Sequence, residues 1–244
     1  MINKISFCIL SNELAPNNLL NSLIESILKQ NIAEYEILIA YSEGRIIKNT
    51  NYKNIHYFPV KKQSSRVNHN KKLEQHKKRQ IMTRHAKYEN IIFLKDYHIL
   101  HENWYTNIKM CNDDFKVIIG KVLFQNNTRY LDRCVGGYSH EKYDYRNGIL
   151  IPYEINDCGI LKKLDMYVSG ATFIVKKSLI NKLFKKFQKH EFIKDYDICK
   201  FIFTRINYKI TLSESLIICK KQNLTPKYIN RNRLVQNIEE IIEL

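Results

Sequence analysis

Glycine and proline are scarce in this chain, at 7 and 4 of 244 residues. So few backbone breakers exclude a collagen-like repeat or a linker-rich architecture, and 44% hydrophobic residues with 11% aromatics exclude a disordered chain. Cysteine provides no scaffold: the six, at 8, 111, 134, 158, 199 and 219, form no CxxC pair and no zinc-like cluster with histidine. Cys8 and Cys219 lie in apolar runs, the usage expected of buried thiols in a reducing cytoplasm. Long hydrophobic runs are also missing. The N-terminal MINKISFCILSNE carries one Lys and an apolar run confined to residues 5–10, too short for a secretory signal. No stretch approaches the roughly 20 apolar residues that span a bilayer. A soluble, cytoplasmic protein is expected, with peripheral contact at the inner face of the membrane left open. Acidic side chains are the last shortage. Only 24 Asp and Glu face 40 Lys and Arg, and the net charge of +16 attracts polyanions or anionic membrane without choosing between them.

What is present is a regular alternation. ISFCIL (5–10) is almost continuously apolar, as a strand buried on both faces must be. Pro16 marks a helix start, and Leu19, Leu20, Leu23, Ile24, Ile27 and Leu28 recur at helical spacing. EILIAY (36–41) reads as a second buried strand, which makes a β-α-β unit with parallel strands and a right-handed crossover. IHYFPV (55–60) predicts a third strand weakened by Pro59, a basic helix is expected over 72–87, and NIIFL (90–94) is the next buried strand. Further on, a short helix is predicted near Trp104 to Met110, strands over 115–120 and 167–175, and an amphipathic helix over 177–188. Residues 121–165 read as loops and short strands, and 227–244 as a terminal helix. The alternation predicts an α/β fold with a doubly wound sheet, whose ligands bind beyond the carboxyl ends of the strands. Three polar strand ends follow from that rule: Ser11-Asn12-Glu13, Ser42-Glu43-Gly44 and Asp96-Tyr97-His98.

Asp96 and His98 carry the most chemistry, because a carboxylate and an imidazole two residues apart at a strand end can share one divalent cation bridging to a diphosphate. Taken alone the pair is a weak signal, since an Asp and a His in a polar loop are more often solvated turn residues than ligands, and its position directly after a buried strand is what raises it. The order ISFCILSNE, SILKQN, YEILIA and KKRQIMTRHAKYENIIFLKDYH resembles the nucleotide-sugar-binding half of GT-A fold glycosyltransferases, in particular inverting family 2. Arg79, Ile81, Ala86, Glu89, Ile91, Phe93 and Leu94 fall in step with that family's run before its acidic motif. The resemblance covers 5–110 well and 165–220 loosely. It implies a GT-A architecture, Rossmann-like, with a mostly parallel sheet, helices on both faces and an elaborated acceptor half. It implies a single domain over 1–244, with the donor half at 1–110 and the acceptor half at 111–244.

It further implies that the family's metal-binding element falls on Asp96 and His98, with Mn²⁺ or Mg²⁺ as cofactor, while Lys95 stands where an Asp is usual. Asp96, with Arg79, Lys95 and the basic run 71–79, is a candidate to hold the donor diphosphate, and Ser11, Glu13 and Glu43, at the ends of the first two strands, are candidates to contact the nucleotide, with helix capping or turn formation equally open for Glu13 and Glu43. Asp195 matches the base that deprotonates the acceptor hydroxyl, Asp197 is its rival, and Lys194 replaces a usual Glu. The implied partners are a nucleotide diphosphate sugar donor and a glycan or glycolipid acceptor in bacterial surface polysaccharide synthesis, with no nucleic acid. The +16 charge suits an anionic acceptor or membrane surface. Two other readings stand beside this one. A basic nucleic-acid-binding protein would use the charge and the 16 Tyr, but the chain has no helix-turn-helix, zinc-finger or RNP signature. A degenerate GT-A scaffold would follow from the two lost acidic residues at Lys95 and Lys194.

Overall fold

The computed structural model describes residues 2–11, 17–45, 52–61, 68–111, 113, 115–125, 133–136, 150–152, 165–168, 172–186 and 210–220. ISFCIL becomes the centre of β1 (Lys4–Ser11), which is buried from Ile5 to Ser11. α1 (Asn17–Leu28) leads to β2 (Glu34–Ser42), parallel to β1 with Lys4 opposite Glu34 and Ser11 opposite Tyr41. β3 (Ile55–Val60) runs parallel to β2 at the edge of the sheet, the position where Pro59, lacking an N–H, is tolerated. After α2 (Asn68–His85), β4 (Asn90–Lys95) pairs parallel with the opposite side of β1. The chain continues through β5 (His98–Leu100), α3 (Trp104–Lys109), β6 (Val117–Phe124), β7 (Arg133–Gly136), β8 (Leu150–Pro152), β9 (Asp165–Val168), β10 (Phe173–Lys176), α4 (Lys177–Lys186) and β11 (Ile210–Cys219).

Eight strands form one sheet in the order β3-β2-β1-β4-β10-β6-β11-β5, and β8-β7-β9 form a small second sheet. The first four strands are mutually parallel. β10 is antiparallel to β4 and β6, β11 is parallel to β6, and β5 is antiparallel to β11. Period-2 alternation along β1 divides the core between the two faces. Ile5, Phe7 and Ile9 pack with Leu20, Leu23 and Ile24 of α1 and with Trp104 and Ile108 of α3. Cys8 and Leu10 pack with Met82 of α2 and with Leu179, Ile180 and Leu183 of α4. This is the α/β, GT-A-like arrangement with helices on both faces that the sequence predicts.

Three expectations are corrected. The single strand expected over 167–175 is two, β9 and β10, which belong to different sheets. His98 does not lie in a loop beyond β4 but opens β5, opposite Cys219. The strand expected over 115–120 begins at Val117 and runs on to Phe124. The helix expected over 227–244 lies outside the described residues. Among the described residues, no helix is long and apolar enough to cross a membrane.

Candidate functional site

β1 lies between β2 and β4, so strand order reverses beside it: β2 and β3 are added on one side and β4 on the other. The carboxyl ends of β1 and β4 therefore meet at the switch point, the place where doubly wound sheets form the crevice that binds their ligands. A tight turn brings a cation to it. The Arg45 N–H donates to the Ser42 carbonyl at 3.1 Å, closing a four-residue turn in which Gly44 has φ +92°, the left-handed conformation that favours glycine. The reversal carries Arg45 back over the carboxyl ends of the strands. Its Nη1 donates to Asp96 Oδ2 at 3.0 Å and also to Ser11 Oγ, while Nη2 donates to Asn17 Oδ1 at 3.3 Å. Arg45 thus bridges the end of β1 to the residue just past β4, with its side chain and that of Asp96 only 4% and 0% exposed. Removing one partner of such a buried pair costs about 3–5 kcal/mol, because the other charge is left uncompensated.

A second cation enters from α2. Lys78 Nζ donates to the Ser11 carbonyl at 2.8 Å, to Ser42 Oγ at 2.9 Å and to Glu74 Oε1 at 2.6 Å, and Ser42 Oγ donates to the same Glu74 oxygen at 2.6 Å. Glu74 and Lys78 stand four residues apart on one helical face, so a single helix delivers both groups. Burial lowers the Lys78 pKa. Glu74 and Asp96 oppose that shift, and Arg45 adds to it. Lys95 and Arg79 are buried as well, the latter with its guanidinium carbon 5.9 Å from the Phe93 ring centre. Arg45 and Lys78 are thus cations held in fixed positions at the strand ends, paired with Asp96 and Glu74.

His98 is fully buried, and burial, then the nearby Lys95 charge, hold its pKa down to about 3. The imidazole is neutral at physiological pH. Its Nδ1 accepts the Lys95 N–H at 3.2 Å, which assigns the ring hydrogen to Nε2. Nε2 is buried without a hydrogen-bond partner among the described residues.

The expected donor contacts are thus spread unevenly. Ser11, Lys95 and Asp96 are brought together at the β1–β4 crevice, whereas the Glu43 side chain is exposed on the turn. Arg79 packs against the sheet through Phe93. Glu13, Asp195 and Asp197 lie outside the described residues. Trp104 packs against Phe7, with ring centres 5.8 Å apart. Sequence reasoning missed Arg45, Asn17 and Glu74, and it left Lys78 inside an undivided basic run. A Gly-Arg pair one residue beyond the end of a buried strand was the available signal for Arg45.

The described residues do not fit a divalent cation at Asp96 and His98. Asp96 is ion-paired with Arg45, so a metal at that carboxylate would sit beside a guanidinium. A metal-bound histidine usually donates its second ring N–H, whereas Nδ1 of His98 accepts and Nε2 carries the hydrogen. No group of three or more His, Cys, Asp or Glu that could hold a metal occurs among the described residues.

No protein-family model matches the sequence, and no curated protein matches it. Solved structures do. The chain is similar to Staphylococcus aureus TarS residues 1–349 in complex with UDP-GlcNAc, at 13% identity and a TM-score of 0.57, over 98% of this chain and 65% of that one. A second structure of the same TarS segment aligns at 9% identity and a TM-score of 0.48, over 90% of this chain and 58% of that one. The chain therefore spans less than two thirds of the TarS segment. The first likeness shows a shared GT-A-like fold.

Proposed function

We propose that this chain is a glycosyltransferase that binds a nucleotide diphosphate sugar at the β1–β4 crevice and transfers the sugar to a glycan or glycolipid of the cell surface. The observation that carries the reading is Arg45 bridging Ser11 and Asp96 across the switch point, with Lys78 fixed to Ser11 and Ser42 beside it. Preorganised cations at this place stabilise a diphosphate both when it binds and when it leaves with the glycosidic electron pair. The UDP-GlcNAc in the TarS complex supports a nucleotide-sugar donor here.

Transfer forms a bond from the acceptor oxygen to the anomeric carbon and breaks the bond from that carbon to the diphosphate, while a carboxylate takes the hydroxyl proton. In-line attack from the face opposite the leaving group inverts the anomeric centre. Asp195 is the proposed base, on the family resemblance, with Asp197 as its rival. An anionic acceptor or an anionic membrane surface suits the +16 charge.

The test is thermal shift with UDP, GDP, CDP and their sugar conjugates, set against random oligonucleotides. One nucleotide diphosphate should stabilise the protein, by about 2.7 kcal/mol at a hundredfold excess over its Kd. Stabilisation by oligonucleotides alone would return the nucleic-acid reading. Folded Asp195→Asn should keep that shift and lose about 100-fold or more in transfer rate, the usual scale for a positioned acid-base group.

A further inference from the structure

We infer that the chain holds the donor diphosphate with its own fixed charge, Arg45 with the buried ammonium of Lys78 behind it, and needs no divalent metal to do so. The inference rests on the reading of the crevice as a nucleotide diphosphate site. A metal at this crevice would serve to bring positive charge to the junction of β1 and β4, and that junction already contains it. Arg45 lies there with Nη1 on Asp96 Oδ2 at 3.0 Å and on Ser11 Oγ, and Nη2 on Asn17 Oδ1 at 3.3 Å. A divalent ion on the same carboxylate would have to approach a buried guanidinium, and like charges a few ångströms apart repel strongly where water is excluded.

The second expected ligand is committed in the opposite sense. His98 Nδ1 accepts the backbone N–H of Lys95 at 3.2 Å, which leaves Nε2 as an N–H donor in the neutral ring. A donor of that kind hydrogen-bonds an anion or a carbonyl and offers a cation no lone pair. Lys78 is as firmly placed as Arg45, since it is tied to the Ser11 carbonyl, Ser42 Oγ and Glu74. These cations are held before any ligand arrives, so the electrostatic work of the site requires no second component from solution.

The experiment is a pair of titrations on the intact wild-type chain. In the first, UDP, GDP and CDP are titrated calorimetrically in EDTA and again in Mn²⁺. In the second, Mn²⁺ is titrated with detection of the free ion by electron paramagnetic resonance, with and without the nucleotide that binds. The expected result is a nucleotide Kd that agrees within about twofold between EDTA and Mn²⁺, and a free-ion signal that the protein leaves unchanged. Arg45→Gln should weaken nucleotide binding about tenfold or more in EDTA, as loss of a buried charged contact does, while Arg45→Lys loses less. Stoichiometric Mn²⁺ binding, or nucleotide binding that EDTA weakens about tenfold and Mn²⁺ restores, overturns the inference and leaves the proposed function standing. Absence of nucleotide binding in both buffers overturns the proposed function and this inference with it.

Discussion

At the scale of single residues, the site depends on one backbone conformation. Gly44 has φ +92°, and a Cβ built there would meet nothing within 4 Å, so substitution by Ala costs conformational strain without a clash. That strain is about 1–2 kcal/mol, or a fall in melting temperature of roughly 2–8 °C for a chain of this size. Because Arg45 follows Gly44 directly, nucleotide affinity should fall together with stability. Gly44→Asn, whose side chain tolerates the left-handed region, should lose less of both. Thermal melts and nucleotide titrations of the two variants check this, and an Ala variant as stable and as tight as wild type would remove the turn from the account. This residue scale was the least legible in the sequence. Asp96 and Lys95 stood out because a buried strand ends on them. Arg45 acquires meaning only when a turn folds it across to a residue 51 positions away, which no local pattern encodes.

Elements were more legible where burial is complete. β1, β2 and β4 are covered on both faces and are written as continuous apolar runs, so their existence and parallel order could be read directly. β11 could not, because Ser213, Glu214 and Ser215 interrupt it, and its register against β6 shifts between Leu212 and Leu216 at that point. β5, with three residues, is too short to carry a period. α2 is the element that joins fold and site: Glu74 and Lys78 face the strand ends, while His76 lies edge-on to Phe184 of α4 at 5.4 Å. Burial, then the Arg79 charge, lower the His76 pKa to about 4. A histidine depressed in the fold binds fewer protons there than in the unfolded chain. Its stabilisation is therefore complete above about pH 6.5 and is lost as pH falls toward 4, with a slope of at most about 1.4 kcal/mol per pH unit. His76→Phe keeps a ring against Phe184 and removes the titration, so its melting temperature should fall less than that of wild type between about pH 6.5 and 4. Parallel pH profiles for the two proteins would show that His76 is protonated in the folded state.

For the molecule as a whole, charge is sorted between inside and outside. Arg45 and Lys78 at the crevice are buried and individually fixed, whereas Lys77 and Arg84 of α2 and Lys182 and Lys185 of α4 are exposed. α2 and α4 pack against the same half of the core, through Met82 and Leu183 among others, so these exposed charges share one face of the sheet. Salt treats the two populations differently. From about 0.1 to 1 M salt the Debye length falls from about 10 to 3 Å, which screens exposed charges and leaves buried ones much less affected. If the outer charges recruit an anionic acceptor or membrane, co-sedimentation with phosphatidylglycerol vesicles should drop about tenfold or more over that range. Nucleotide diphosphate affinity, set inside the crevice, should change far less. Neutralising the outer set as Lys77→Gln, Arg84→Gln, Lys182→Gln and Lys185→Gln should weaken vesicle binding while leaving nucleotide affinity at its wild-type value, since none of the four touches Ser11, Ser42 or Asp96 among the described contacts. Equal salt sensitivity of the two binding events would mean that one field serves both, and the exposed face would then lose its separate role in bringing acceptor to donor.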